Sequence, residues 1–465
     1  MNKLTKISTA VAMALVAGQA FAGDSATQTQ YGTANNATID QVTYSGDARS
    51  AYQYQNGTEN KANVVQSGLR QSSSQIQAGS KNTVTASQYG SDNKSTQRQD
   101  GQVKFGSRLY YYGPSSNSSS TTVQSGTSNT SETYQSGDRN SALTRQYGTG
   151  NSSTVKQIGR SNAANVLQAS SYNSSNVYQT GTGNYSNTDQ RNYRNSSNTT
   201  QHGTGNRSDS RQYGIYSNAS VYQNGTTNRS NFTQSGSTNN IGVSQTGLSN
   251  NSGIRQSGNV LKATVNQNGT ANSSGVTQTG LKNTASVNQS GSYNGSSILQ
   301  YNRDNNASVS QRGIANRSTV NQARAIASRA TVDQSGNSNV STIDQVGTGN
   351  TASAQVGYYG GAYGYVGNNN NSDIDQVGDG NIASTLVYRG DRNKAKIAQT
   401  GNGNRASATQ NGNDNESTIT QTGHANIAYT SQSGTANKAT VSQSQSGDYA
   451  NINQSGLANI ASIMQ

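Results

Sequence analysis

The sequence has no cysteine and no tryptophan, one proline and three phenylalanines. Without cysteine there is no disulfide framework of the kind that staples many exported chains. Hydrophobic residues make up only 29% of the chain, against about 45–50% in ordinary soluble domains, which excludes a conventional apolar core. Charged residues are scarce as well, at 11%. Disordered chains usually pair low hydrophobicity with high net charge and abundant proline, so the shortage of both leaves room for strands. Whatever holds this chain together comes from backbone pairing and from the side chains that remain.

One apolar run stands out. In MNKLTKISTAVAMALVAGQAFAG, Lys3 and Lys6 precede apolar residues from Ile7 to about Gly18, and Ala20-Phe21-Ala22 has the small-x-small form of a cleavage site. This reads as a secretory signal peptide, residues 1–22, with the mature chain beginning at Gly23. The run is far shorter than the roughly 20 residues of a membrane-spanning helix. The formal charge of +13 falls to +11 when Lys3 and Lys6 leave. Such a balance favours polyanions such as acidic polysaccharide or extracellular DNA as partners, although scattered charges serve solubility equally well.

After a short segment, 23–29, an internal repeat fills residues 30–465. In QTGLKNTASVN, Gln278 to Asn288, Gln stands at position 1, Gly at 3, Asn at 6, Ala at 8 and Val at 10. The step of eleven carries Gln124 through Gln135, Gln146 and Gln157 as far as Gln322. An eleven-residue period also suits a right-handed coiled coil. A glycine in nearly every unit would cost a helix roughly 1 kcal/mol each time, and the apolar residues are the β-branched Val and Ile.

A strand explains the odd number. Positions 6, 8, 10 and 1 are spaced by two and share one face. The step from Gly at 3 to Asn at 6 is three, so a corner at positions 4 and 5 resets the parity, with glycine supplying the tight turn. The expected fold is an all-β, parallel, cross-β solenoid of stacked 22-residue rungs, each made of two 11-residue strand-turn units, with about 18 rungs spanning near 90 Å at the paired-strand spacing.

Stacking sets Gln on Gln and Asn on Asn in amide ladders that satisfy buried polar groups. The candidate ladder residues include Gln278, Asn283, Gln289, Asn294, Gln432 and Asn437. Position 10 supplies the apolar core, with Val265, Val276, Val287, Ile298, Val309, Val320 and Ile463 as its members. Thr188, Thr199 and Ser210 occupy the same position and mark the soft part of the stack. Arg207 and Arg229 share position 7, one rung apart, and are expected to stack and repel. Gln41 to Gln55 and Gln99 to Gln124, the latter containing Pro114, read as enlarged corners. Gln355 to Gln376, with its Gly/Tyr-rich stretch 357–367, is one residue short of two units and reads as an irregular rung.

Catalytic and metal chemistry is not visible. His202 and His424 lie far apart, at positions 2 and 4. Asp40, Asp189, Asp333, Asp344 and Asp375 fall at outward position 11, where a solvated face is the simpler account. No cofactor site, metal site or catalytic residue is assigned, and the protein is not expected to be an enzyme.

The motif Q-x-G-x-x-N-x-[AS]-x-[VI]-x-Q resembles the curlin repeat of curli subunits, the extracellular amyloid fibres of bacterial biofilms, over nearly the whole mature chain. The resemblance implies a secreted fibre subunit, either major subunit or nucleator, that supports biofilm matrix and adhesion. Its implied partners are further copies of itself, other curlin subunits and a dedicated outer-membrane secretion channel. Family resemblance also associates the first and last repeats with seeding, which here falls on Gln30 and Asn35 at one end and Gln454 and Asn459 at the other. The frame runs on to Gln465, so the last rung is expected to present open ladders to the next molecule. The alternative is a monomeric secreted solenoid that binds ice or a polyanion. Ice binding would call for a regular outward Thr ladder at positions 9 and 11, and position 11 varies from unit to unit.

Overall fold

A computed structural model describes residues 23–42, 48–100, 102–105, 108–111, 114–357 and 367–465. The signal segment 1–22 and nearly all of the Gly/Tyr-rich stretch lie outside the described residues. Within them the chain is a parallel β-solenoid of about 19 turns, one more than the period suggested, with no helix. It follows that no helix there is long and apolar enough to cross a membrane.

A typical strand runs from position 7 of one unit to position 4 of the next, as in Lys262–Thr270 and Ser273–Leu281. Successive strands alternate between two parallel sheets, so each strand hydrogen-bonds to the strand one full rung away: Ala263 faces Ala285, Val265 faces Val287 and Gln267 faces Gln289. We call the sheet containing Ser25–Thr33 the first sheet and that containing Asn36–Val42 the second. Positions 8, 10 and 1 are buried and alternate with half-exposed neighbours, because a pleated strand sends successive side chains to opposite faces. Each rung fills the interior with the inward positions 8, 10 and 1 of two strands, one from each sheet.

The usual offset between stacked residues is 22, as from Gln278 to Gln300. Three larger insertions lengthen it without breaking the stack, and single added residues between Gln322 and Gln334 and between Val387 and Gln399 raise it to 23. Near the start the offset is 25, between Gln30 and Gln55, and part of that enlarged corner, residues 43–47, lies outside the described residues. Across Pro114 it becomes 36, since Gln88 meets Gln124 and Gln99 meets Gln135. This corrects the sequence reading of Gln99 to Gln124 as two units with an enlarged corner. Only one unit is present there, and the additional residues include an antiparallel hairpin, Gln102–Phe105 against Arg108–Tyr111. Ser115 then rejoins the first sheet opposite Gly79.

The third insertion needs a similar correction. Gln355 is not a position-1 glutamine: Val356 pairs with Gln334 and is buried, while Gln355 pairs with Asp333. The segment up to Gln376 is therefore one unit carrying an insertion, and Gln345 stacks on Gln376 at an offset of 31.

Most corners are set by two left-handed positions. Gly269, at position 3, has φ of +126°, and Ala271, two residues later, has φ of 54°. The glycine is required for space as well as for φ, because a Cβ on Gly269 would lie 2.0 Å from the carbonyl oxygen of Gly291 in the next rung. Gly242 differs: it lies mid-strand, and a Cβ there meets nothing within 4 Å. Gly269→Ala is expected to destabilise the solenoid by at least about 2 kcal/mol, whereas Gly242→Ala is neutral or stabilising by up to about 1 kcal/mol. Chemical denaturation of both variants checks this, and equal losses would contradict the corner assignment.

Candidate functional site

The feature that repeats with the rungs is a pair of amide ladders. Gln278 Nε2 donates to Gln300 Oε1 at 2.8 Å and to the carbonyl of Lys262, on the opposite sheet, at 3.0 Å. Gln289 does the same toward Gln311 (2.8 Å) and Ser273 (3.0 Å), and also reaches the carbonyl of Asn294. Gln432 donates to Gln454 and to the carbonyl of Glu416, both at 2.9 Å. Each glutamine thus ties rung to rung and sheet to sheet. The same contacts reach the outermost described rungs. Gln30 donates to Gln55 (2.7 Å), Gln454 to the carbonyl of Lys438 (3.0 Å), and Gln465 accepts from Gln443 while donating to the carbonyl of Tyr449.

The asparagine column runs along the corners and points the other way. Asn294 donates both its backbone N–H and Nδ2 to Asn272 Oδ1 in the preceding rung, at 3.1 and 3.0 Å, while Nδ2 also reaches the carbonyls of Ser290 and Gly313. Asn437 repeats this on Asn415, and Asn459 repeats it on Asn437. Asn35 accepts from Asn60 and donates to the carbonyls of Tyr31 and Gly57. Asn283 lacks an asparagine behind it, because Leu261 occupies that place and is fully buried. It still accepts from the backbone of Asn305 and donates to the carbonyls of Thr279 and Asn302.

The apolar column is nearly continuous from Val221 onward, interrupted by the buried Thr385 and Thr430, and is broken more often in the first half of the molecule. Val265, Val276, Val287, Ile298, Val309 and Val320 lie in a cluster that extends from Ala219 to Ile452, with Ile463 packed against its end. A smaller cluster contains Ala142, Val155, Ala164, Val166 and Val177. Between them stand the soft rungs that the sequence marks, where Thr188 and Thr199 are buried with unpartnered hydroxyls and Ser210 shares a 3.2 Å contact with Ser197.

Several stabilising groups escaped the sequence reading. Gln28, Gln53, Gln75 and Gln97 stand at position 10 of the first rungs and form a ladder of their own, at 2.9 to 3.1 Å. Asp24 and the fully buried Arg49 replace an Asn pair at the first corner, joined at 2.8 Å. Burial opposes the Asp24 charge, but the Arg49 hydrogen bonds outweigh it and hold the carboxyl below its usual range. An outer relay at position 4 runs from Thr348 N–H to Asp379, from Asp379 N–H to Asn402 and from Asn402 N–H to His424 Nδ1. The Asn, Asp and His at position 4 were the available signal.

Outward charges pair more than periodicity alone foretells. The register does place Arg207 on Arg229, yet Arg207 is held by Asp209 at 2.7 Å and lies 4.8 Å from the Tyr185 ring. The expected repulsion is therefore largely neutralised. His202 sits edge-on between Tyr178 and Tyr222. Among the described residues no three His, Cys, Asp or Glu side chains are placed to hold a metal ion. Burial, then the neighbouring Asp373 and Asp344, push the Asp375 carboxyl above its usual range, with Lys396 opposing.

Ladders that consume the regularly spaced amides in stacking define a structural solenoid, one whose recurrent side chains hold its own rungs together. Six segments, residues 126–159, 258–291, 282–313, 327–355, 390–423 and 412–444, match the curlin associated repeat. The chain carries the curlin repeat across these segments. No curated protein matches it.

Two substitutions test the energetics. Thr199 stacks between Val177 and Val221, so Thr199→Val removes a buried unpaired hydroxyl and completes the valine column. A gain of about 1–3 kcal/mol is expected, and a loss in denaturant midpoint would overturn the register. For Asp375 the folded-state pKa lies above the unfolded one. Its ionisation therefore costs nothing below pH ~3.9, and the cost grows as pH rises through the raised folded value. Asp375→Asn should stabilise by less than about 1 kcal/mol at neutral pH and have no effect in acid, as read from unfolding midpoints across pH.

Proposed function

We propose that the protein is a non-catalytic structural subunit of an extracellular, curli-like amyloid fibre. It lengthens by rung-on-rung templating and supports biofilm matrix and adhesion. Export by the signal segment 1–22 and passage through a dedicated outer-membrane channel are part of this reading, as is association with other curlin subunits.

The observation that carries it is the opposite polarity of the two ladders. On the edge of a rung that faces later residues, glutamine offers Nε2–H and asparagine offers Oδ1. On the opposite edge, glutamine offers Oε1 and asparagine offers its N–H groups. Any two rungs are thus complementary head to tail, whether they belong to one chain or to two. Head-to-head contact would set donor against donor. Unpaired strand edges of this kind are templates for further strands.

Around Gly253 the outward positions 9 and 11 do not form the regular Thr rows that ice binding would need: the register stacks Asn231, Gly253 and Gly275 beside Thr233, Arg255 and Thr277. The test is whether purified protein beginning at Gly23 forms thioflavin-positive fibres that diffract near 4.8 Å along the fibre axis and seed a fresh sample. A folded species that stays monomeric at micromolar concentration, or fibres lacking that reflection, would overturn the proposal.

A further inference from the structure

The outward face of the second sheet carries a charge pattern that rung stacking does not use. Along the column of position 11, Arg211 and Arg255 stand on one side of Thr277 and Leu299, with Asp344 and Asp375 on the other. Among the described residues Arg211, Arg255 and Asp344 form no ion pair. Asp375 has Lys396 at 4.0 Å, which also serves Asp373 at 3.3 Å. Beside the column's middle the face is bare. Gly253 and Gly275 stack on one another, and nothing stands within 4 Å above Gly275 or above Gly295 in the next rung. Glycine in a strand interior marks a place where another backbone can approach closely.

We propose that this face docks on the same face of a second copy of the chain. The two solenoids run in opposite directions about a two-fold axis that lies along the strands near Leu299. Rotation about such an axis reverses the stacking direction while keeping position 11 opposite position 11. Counted from Leu299, Arg255 lies two rungs back and Asp344 two rungs forward, so each copy's Arg255 meets the other's Asp344. Arg211 and Asp375 lie four back and three forward, within a rung of registration.

The contact is isologous, as closed dimers require. A two-fold parallel to the solenoid axis through the strand centre instead sets position 11 against itself in the same rung, which places Arg255 on Arg255 and Asp344 on Asp344 without charge complementarity. Eight rungs at ~4.8 Å, with strands ~20 Å long, give roughly 800 Å² per copy, the size of a standard stable interface. This side-by-side contact goes beyond end-to-end fibre growth and does not depend on it.

Because the chain has no cysteine, Leu299→Cys in the full mature chain introduces a unique thiol on the axis. A short bismaleimide should join two such chains at least tenfold more efficiently than it joins chains carrying Thr420→Cys, which sits in the same column far from the axis. End-to-end stacking alone would leave copies of residue 299 about 90 Å apart, beyond the linker. Within the Leu299→Cys background, Arg211→Glu with Arg255→Glu, or Asp344→Lys with Asp375→Lys, should each abolish the cross-link, and mixing the two variants should restore it. Equal cross-linking at residues 299 and 420 overturns the proposal, as does failure of the mixture to recover while circular dichroism shows intact strands. Should a charge variant fail to fold, the comparison of residues 299 and 420, which alters no charge, decides alone. Fibre formation and seeding are measured separately, so loss of the lateral contact is distinguishable from loss of the templating reading.

Discussion

The constraint on which the rest depends is that a buried primary amide has both donors and acceptors to satisfy, and in this interior another amide one rung away supplies much of what it needs. A lone buried glutamine would cost on the order of 1–3 kcal/mol. In a ladder the same residue gains a partner above, a partner below and a carbonyl across the core, as at Gln289. The arrangement depends on rungs repeating the same side chain at the same height, and where Val387 interrupts the column Gln410 Oε1 is left without a partner. That requirement fixes the parallel register, since a one-residue slip would turn the whole inward set outward. It also explains how the stack absorbs insertions. The hairpin before Pro114 leaves the core column intact, because Gln88 still finds Gln124 at 2.8 Å.

Ladders supply direction and register more than stability. Each amide contact is worth about 1 kcal/mol net, whereas a buried Val or Ile contributes roughly 1.5–3 kcal/mol. The long apolar cluster after Ala219 should therefore be the firm part of the solenoid. The rungs around Thr188 and Thr199 keep their glutamine ladder, as Gln190 on Gln212 shows, but bury hydroxyls without partners. On their outside, Arg194 lies within 6 Å of the rings of Tyr172, Tyr193 and Tyr216. An aromatic jacket over a polar core moves part of the cohesion to the surface, where pairs of this kind are worth about 0.5–1.5 kcal/mol.

The interior was legible in the sequence because strand geometry has a period of two and the eleven-residue unit breaks that period once. Inward positions, the corner glycine and the apolar column all follow from that arithmetic. Where the arithmetic failed, an insertion had shifted the phase. Gln355 imitates a ladder residue one place early, and only the strand pairing reveals that Val356 has taken its place. The ladder at Gln53 and Gln75 was missed for a different reason: apolar residues at position 10 elsewhere made a polar column there unexpected. Outward pairing was the least legible. The partner of Arg207 is Asp209, two residues along the same strand, and choosing it over the stacked Arg229 requires side-chain placement that a period does not contain.

Interior and exterior therefore answer to different demands. Inside, identity between rungs is what satisfies the amides, so the core can specify that a rung stacks, and in which direction, but cannot distinguish one rung from another. Ladder chemistry alone would permit two chains to join at any height. The outward columns do not repeat, and positions such as Arg255 and Asp344 differ from rung to rung along a face whose backbone is uniform. Charge placed on a periodic scaffold gives each height an address. In a protein whose core is nearly the same at every level, the surface is the part of the molecule that can encode where along its length another molecule binds.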